Sequence, residues 1–273
     1  MQTMQMPIWS LDFDLGDESA IEALSEHLLW NAYPLGNFAP PYRRFMRVAR
    51  ARSRDGRRAA CVLFRHPEFA VVVPSGDPEG VGAIVESAAA ALPSDAELMV
   101  LPEHVPTFER HFTVEPIEWM CRVHVDAEAF RPLGETSRVS VLAPDDLADL
   151  AALYDEGSMP FYAEQVEAGF FYGSRRDGRL VAAAGTHNLS RAQRVAALGS
   201  LYVRPEARRV GLGRELTVAR VGALFASGFR NVVANVGVGN EPSLELHERL
   251  GFRRHCRFLR ARIRVRPRAS IDR

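Results

Sequence analysis

Apolar and polar positions change period several times along this chain, and each change marks an element. Val195–Val203 is mostly apolar and of strand length, and residues 232–236 form a second such run. Between them, from Leu212 to Ala226, apolar residues recur at helical spacing, and Gly228 supplies a stop. Asn240-Glu241-Pro242 then signals a helix start, because Asn caps well and Pro suits the first turn; Gly251 ends that helix. Farther on, Arg260, Arg262, Arg264, Arg266 and Arg268 alternate with Ala261, Ile263, Val265 and Pro267. That is the period of a strand with one arginine face and one mostly apolar face. Upstream, residues 139–141 read as a short strand. Pro144-Asp145-Asp146 opens a helix through Leu147, Leu150 and Leu153, with acids where the helix dipole favours them. Segments 170–174 and 179–184 flank Asp177-Gly178, a hairpin signal, and a polar turn covers 189–194.

The N-terminal half follows a worn version of the same plan. Arg54-Asp55-Gly56-Arg57 matches Arg176-Asp177-Gly178-Arg179, each between two strand-like runs. Residues 71–73, a helix over 78–92 and a strand over 98–101 give a second strand-helix-strand unit. Chance similarity of two hairpins is the alternative. The polar segment 129–137, with Pro132 and Gly134, is the expected boundary, giving domains over 1–130 and 137–273.

Between the first strand and its helix lies Arg208-Arg209-Val210-Gly211-Leu212-Gly213-Arg214. Closely spaced glycines before a helix let the backbone approach a phosphate, and the N–H groups of the first turn point at it. The three arginines add formal positive charge. A dinucleotide site would want a small residue where Leu216 stands and an acid after the 232–236 strand, where Gly237-Val238-Gly239-Asn240 follows instead. A plain structural turn is the remaining bland reading of the glycines.

Taken together, Arg208-x-x-Gly211-x-Gly213 and Asn240-x-x-Ser243-x-x-x-His247-x-x-x-Gly251-Phe252 resemble the acyl-CoA motifs of the GNAT superfamily of N-acetyltransferases. The helix version with Leu-His in place of Leu-Tyr is most similar to the phosphinothricin-acetyltransferase type. The resemblance is specific over 195–252 and looser from about 137 onward. It implies an α+β (mixed α/β) GNAT fold, a mostly antiparallel twisted sheet with flanking helices. The N-terminal half, with no such motif, then reads as a GNAT-like domain without a cofactor site. It also implies acetyl-CoA as the acyl donor and a small-molecule or peptide amine as the acceptor. The loop 208–214 would hold the pyrophosphate. Leu201, Tyr202 and Val203 would carry the pantetheine arm, with Asn240 and Ser243 beside it unless capping alone explains them.

Composition adds bounds. At 273 residues the chain is long enough for two small domains, and 47% apolar with 25% charged residues is ordinary for a globular protein. No run suggests a membrane span or a secretory leader. Cys61, Cys121 and Cys256 have no paired spacing, which argues against disulfides or a metal site and favours a reducing cytoplasm. All 34 basic residues are arginine, so no side chain offers a lysine amine for self-modification. Nine of the arginines follow Phe252 against the single acid Asp272, yet few aromatics interleave them. A solvated strand face is therefore favoured over an acidic partner or nucleic acid. Monomer and homodimer stay open.

Acyl transfer to an amine needs a base for the amine and an acid for the departing thiolate. In the resembled family His247 stands at the acid's position; an imidazole there can protonate the thiolate, hold a water that does so, or simply fill space. Many relatives place a glutamate near the position of Ala197; this chain has no carboxylate on that strand. Glu164 is the leading substitute, with Glu167 and His187 behind it, in or near the stretch Met159-Pro160-Phe161-Tyr162 where such enzymes line the acceptor pocket. Each is also readable as an ordinary surface or strand residue. A protein that binds acyl-CoA without turning it over is the alternative to an acetyltransferase.

Overall fold

A computed structural model describes residues 9–157 and 161–265. Met159 and Pro160 of the acceptor-side stretch, and Arg266, Pro267 and Arg268 of the arginine stripe, lie outside the described residues. By contacts the chain divides into two units, Met1–Cys121 with Cys256–Arg273, and Arg122–His255.

In chain order the first half holds β1 (Trp9–Asp12), α1 (Asp17–Ser25), α2 (Ala32–Gly36), β2 (Met46–Ser53), β3 (Arg58–Arg65), β4 (Ala70–Gly76), α3 (Pro78–Ala88), β5 (Ala96–Val100), α4 (Val105–His111) and β6 (Phe112–Asp126). The second half holds β7 (Ser140–Val141), α5 (Leu147–Gly157), α6 (Ala163–Glu167), β8 (Tyr172–Arg176), β9 (Arg179–Ser190), β10 (Val195–Val203), α7 (Leu212–Ala226), β11 (Asn231–Gly237), α8 (Glu241–Arg249) and β12 (Arg253–Val265). The strand-helix-strand order of β4-α3-β5 recurs as β10-α7-β11, as the repeated plan requires.

The units given by contacts are not contiguous along the chain. β12 pairs antiparallel with β5, from Leu259↔Val100 to Ile263↔Ala96, and so belongs with the N-terminal unit. Its apolar face buries Leu259, Ala261 and Ile263 against Leu98, Val100, Phe108 and Phe112. The end of β6 joins the other unit beside β11, where Arg122 Nε donates to Asn235 Oδ1 at 2.9 Å and His124 bonds Asn231 at 3.1 Å. Periodicity identifies a strand and its two faces, but not the edge that accepts it.

The arginine face of β12 is occupied within its own unit. Arg260, Arg262 and Arg264 pair with Glu97, Asp95 and Glu115 at 3.8, 3.3 and 2.9 Å. These are half-exposed pairs, worth little individually.

In the C-terminal unit the strand order is β6-β11-β10-β9-β8-β7. β10 runs parallel to β11, while β7, β8, β9 and β10 pair antiparallel in turn. Asp177 and Gly178, with φ of 52° and 78°, make the tight β8-β9 turn that their sequence signals. α5 packs Leu150, Leu153 and Tyr154 on Phe171, Leu180 and Ala183. α7 packs Leu212 and Leu216 on Val181, Ala182 and Ala184. Two cores thus hold β9 and β10 between helices, and the ends of these elements build the site.

Candidate active site

β10 and β11 pair only from Val195↔Asn231 to Leu198↔Ala234. β10 then continues to Val203 and β11 to Gly237 without a further paired residue among the described residues. At the same level the register between β10 and β9 slips between Gly199↔Gly185 and Tyr202↔Ala183. This is a bulge, which bends a strand and re-aims its backbone groups. Ser200, at its centre, has φ 50°, a left-handed conformation that a non-glycine residue adopts at a cost.

Several side chains hold the bulge in place. The Tyr154 hydroxyl donates to the Ser200 carbonyl, and His187 Nε2 lies 2.6 Å from Ser200 Oγ. Arg220, buried in α7, donates to the carbonyls of Gly185 and Gly199 at 2.7 and 2.9 Å. The His187 ring fills the space where a Cβ on Gly199 would stand, so only glycine fits there. Burial and the neighbouring Arg220 guanidinium push the His187 imidazole down to about 4, so it is neutral at physiological pH.

Beyond Val203 the chain turns into the arginine loop. Arg209 (φ 64°) and Gly211 (φ 92°) are both left-handed, and α7 starts at Leu212. The N–H groups of Leu212, Gly213 and Arg214 lie in the first turn, where a helix supplies no acceptor of its own. A Cβ on Gly213 would lie 3.9 Å from Leu246 of α8 and 4.0 Å from Leu201 of β10. Gly213 therefore stands where α7, α8 and β10 meet, at ordinary contact distance from both neighbours. Arg208 Nε donates to the Val203 carbonyl at 2.9 Å, and its guanidinium lies 6.0 Å from the Tyr202 ring centre. Val210 is 47% exposed.

Two residues that sequence reasoning missed brace this loop. Arg138 donates to the Val210 carbonyl at 2.8 Å and, through Nε, to Glu215 Oε1 at 2.9 Å. Glu215 is buried, and the Arg138 guanidinium holds its carboxyl below the usual carboxylate range. Arg214 adds a second, longer pair to it at 3.7 Å. An acid in the first turn of a helix is ordinary, so nothing in the sequence distinguished Glu215 as buried.

On α8 the Asn240 side chain accepts from the Ser243 N–H at 3.3 Å, as a cap. His247 is buried edge-on to Phe252, and its Nδ1 donates to the Ser243 carbonyl at 2.7 Å. Nε2 is then a buried acceptor with no partner among the described residues. Burial, and more weakly Arg220, push this ring down to about 4 against the raising effect of the Ser243 bond. Leu201 and Gly213, at the start of α7, thus lie beside Leu246 of α8. Glu164 and Glu167 stand exposed on α6, and the intervening Gln165 donates to the His187 carbonyl at 3.2 Å.

The N-terminal unit repeats the divergence but not the site. β4 and β5 pair at Val71↔Glu97 and Val72↔Leu98. Past that level, Trp30 donates to the Pro74 carbonyl at 2.7 Å, Asn31 to Ser75 Oγ at 3.3 Å, and His104 to the Gly76 carbonyl at 2.9 Å. At the start of α3 the Asp77 carboxylate takes the N–H groups of Glu79 and Gly80. A phosphate there would meet occupied donors and a like charge.

The family model of the GNAT acetyltransferases matches residues 140–252. Phosphinothricin N-acetyltransferase of Alcaligenes faecalis is 33% identical over 135 residues, covering 42% of this chain and 68% of the relative. The enzyme of the same name from Streptomyces viridochromogenes is 42% identical over 53 residues, 19% of this chain and 29% of its own length. Mycothiol acetyltransferase of an Arthrobacter species is 43% identical over 61 residues, 21% of this chain and 19% of its own. The last two matches therefore span less than a third of those relatives. Among solved structures, a tandem GNAT protein from the clavulanic acid biosynthesis pathway superposes with a TM-score of 0.59 at 17% identity, covering 95% of this chain and 100% of that one. A GCN5-related N-acetyltransferase from Sphaerobacter thermophilus gives 0.61 at 13% identity, over 96% and 98%. The chain belongs to the GNAT family of acetyltransferases, and its fold is that of tandem members. No helix among the described residues is long and apolar enough to cross a membrane, and no described cluster of His, Cys, Asp and Glu could hold a metal.

Proposed function

We propose that the C-terminal unit transfers an acetyl group from acetyl-CoA to a primary amine of a small molecule or peptide, by direct attack of the amine on the thioester. The observation that carries this reading is the divergence of β10 from β11 beside the arginine-ringed start of α7. An unpaired strand edge suits an extended amide-bearing arm, and first-turn N–H groups suit a pyrophosphate. The backbone of Leu201, Tyr202 and Val203 would hold the arm, flanked by Asn240 and Ser243. Arg208 through Arg214 would hold the pyrophosphate, with Gly211 and Gly213 allowing close approach. When bound, acetyl-CoA supplies an activated carbonyl, and backbone N–H groups of the bulged strand would stabilise the oxyanion that develops on it. One such donor is typically worth about 3 kcal/mol.

His247 can donate to a thiolate only with a proton on Nε2, and at neutral pH its proton is on Nδ1. We therefore assign it the acceptor's role, holding a water whose other hydrogen protonates the thiolate. Glu164 is exposed on α6, so in this reading it serves the amine only through water.

The test begins with acetyl-CoA and thermal unfolding, then measures CoA release with a panel of amines starting with phosphinothricin. Stabilisation followed by release supports the proposal. Stabilisation without release from any amine favours an acyl-CoA-binding regulator, and no stabilisation at saturating concentration overturns the cofactor assignment. His247→Ala is expected to lower kcat by about 100-fold with little change in acetyl-CoA affinity. Equal losses in both would make His247 a binding residue.

A further inference from the structure

We propose that Ser200 and His187 form the proton relay of the acyl-transfer step, in place of the carboxylate that the strand lacks. The inference rests on the cofactor reading above, and its observations are separate from those that carry that reading. Ser200 lies two residues past Leu198, the last residue of β10 paired with β11, and inside the slip against β9, where the reacting carbonyl would lie. It keeps a left-handed φ of 50° although glycine would adopt that conformation freely, so the hydroxyl is retained against a conformational cost. That hydroxyl is 2.6 Å from His187 Nε2, a direct hydrogen bond. The carbonyl of the same residue is fixed by Tyr154, and the carbonyl before it by Arg220. At the other end, Gln165 holds the His187 carbonyl. The pair is therefore oriented from α5, α6, α7 and β9 together.

With the ring proton on Nδ1, Nε2 accepts from Ser200 Oγ–H. As the neutral amine forms its bond to the carbonyl carbon, Ser200 Oγ takes the amine's proton and passes its own to Nε2. When the carbon–sulfur bond breaks, the proton returns through Ser200 to the water held by His247, whose other hydrogen passes to the thiolate. CoA leaves as the thiol, the amide is neutral, and no further reactant is consumed. Burial of this ring, and more weakly the Arg220 guanidinium beside it, oppose a lasting imidazolium. That suits a group that hands its proton on, and it is unsuited to deprotonating a free ammonium ion. Ser200 is thus a catalytic residue in this scheme, and His187 acts through it.

Ser200→Gly is the informative variant, because glycine adopts the bulge conformation without strain and removes the hydroxymethyl side chain. CoA release from acetyl-CoA is measured with phosphinothricin as acceptor, and with water as acceptor if that amine is not used. The expected result is a fall in kcat of about 100-fold with acetyl-CoA affinity unchanged. The solvent deuterium isotope effect on kcat, present in the wild type, should shrink in Ser200→Gly and in His187→Gln alike. A kcat within about threefold of wild type in Ser200→Gly, or an unchanged isotope effect in both variants, overturns the relay and leaves the pair as a brace for the bulge. Acetyl-CoA binding without CoA release to either acceptor overturns the relay alone. Failure to bind acetyl-CoA overturns the cofactor reading first.

Discussion

Gly211 and His247 illustrate two kinds of residue in this site. Gly211 sits at φ 92°, with the guanidinium groups of Arg138 and Arg214 as its nearest neighbours. Its constraint is conformational rather than steric, and a β-branched side chain there is strongly disfavoured. Gly211→Val is expected to weaken acetyl-CoA binding at least 10-fold by calorimetry, since about 1–2 kcal/mol of backbone strain opposes the loop shape the phosphates need. His247 is constrained by burial. Its folded value of about 4 lies below the ordinary 6.5, so the unfolded chain binds a proton first as pH falls. Its contribution to stability is complete above about 6.5 and is lost as pH falls through about 4, amounting to about 3 kcal/mol. Urea midpoints between pH 7 and pH 4.5 should therefore fall less steeply in His247→Gln than in the wild type. Glycine positions such as Gly211 were legible in the sequence because only one residue type satisfies them. The protonation state of His247 was not, because it depends on which neighbours exclude water.

Among elements, α7 is the one on which the site depends, and its length was readable from apolar spacing and a glycine stop. What anchors its first turn was not readable, because Arg138 and Glu215 are far apart in sequence and each looks like a surface charge. Arg138→Ala would leave the buried Glu215 with only the 3.7 Å contact to Arg214. Breaking a buried pair costs about 3–5 kcal/mol, less where one partner is accessible, and the Arg138 side chain is 46% exposed. A lower denaturant midpoint is expected, with acetyl-CoA affinity lowered about 10-fold because the Val210 carbonyl is released as well. Unchanged affinity would show that the loop holds its shape without this brace. The bulge of β10 belongs to the same scale. Gly199 inside an apolar run is its one local signal, and nothing in the sequence places His187 and Arg220 around it.

For the whole molecule, the C-terminal strand has a role its position in the chain does not suggest. Phe258, Leu259 and Ile263 are buried in the N-terminal unit. Burying each such side chain contributes about 1.5–3 kcal/mol, and a domain's net stability is only about 5–15 kcal/mol. A chain truncated after His255 is therefore expected to lose the fold of its N-terminal unit. Hydrogen exchange of β5, Ala96–Val100, should rise toward the unfolded rate. Protected β5 amides in the truncated chain would mean that the unit is stable without β12.

The sequence by itself determined the local elements, the repeated plan, the arginine-glycine loop and its pairing with the Asn240–Gly251 helix. These follow from periodicity, capping and backbone conformation, which act between residues close along the chain. Only the tertiary structure decided which unit each terminal strand completes, and that Trp30, Asn31, His104 and Asp77 occupy the N-terminal counterpart of the site. It alone brought Ser200 to His187 and buried His247 with its proton on Nδ1. Those outcomes depend on contacts between distant segments and on the exclusion of water, and no local pattern encodes either.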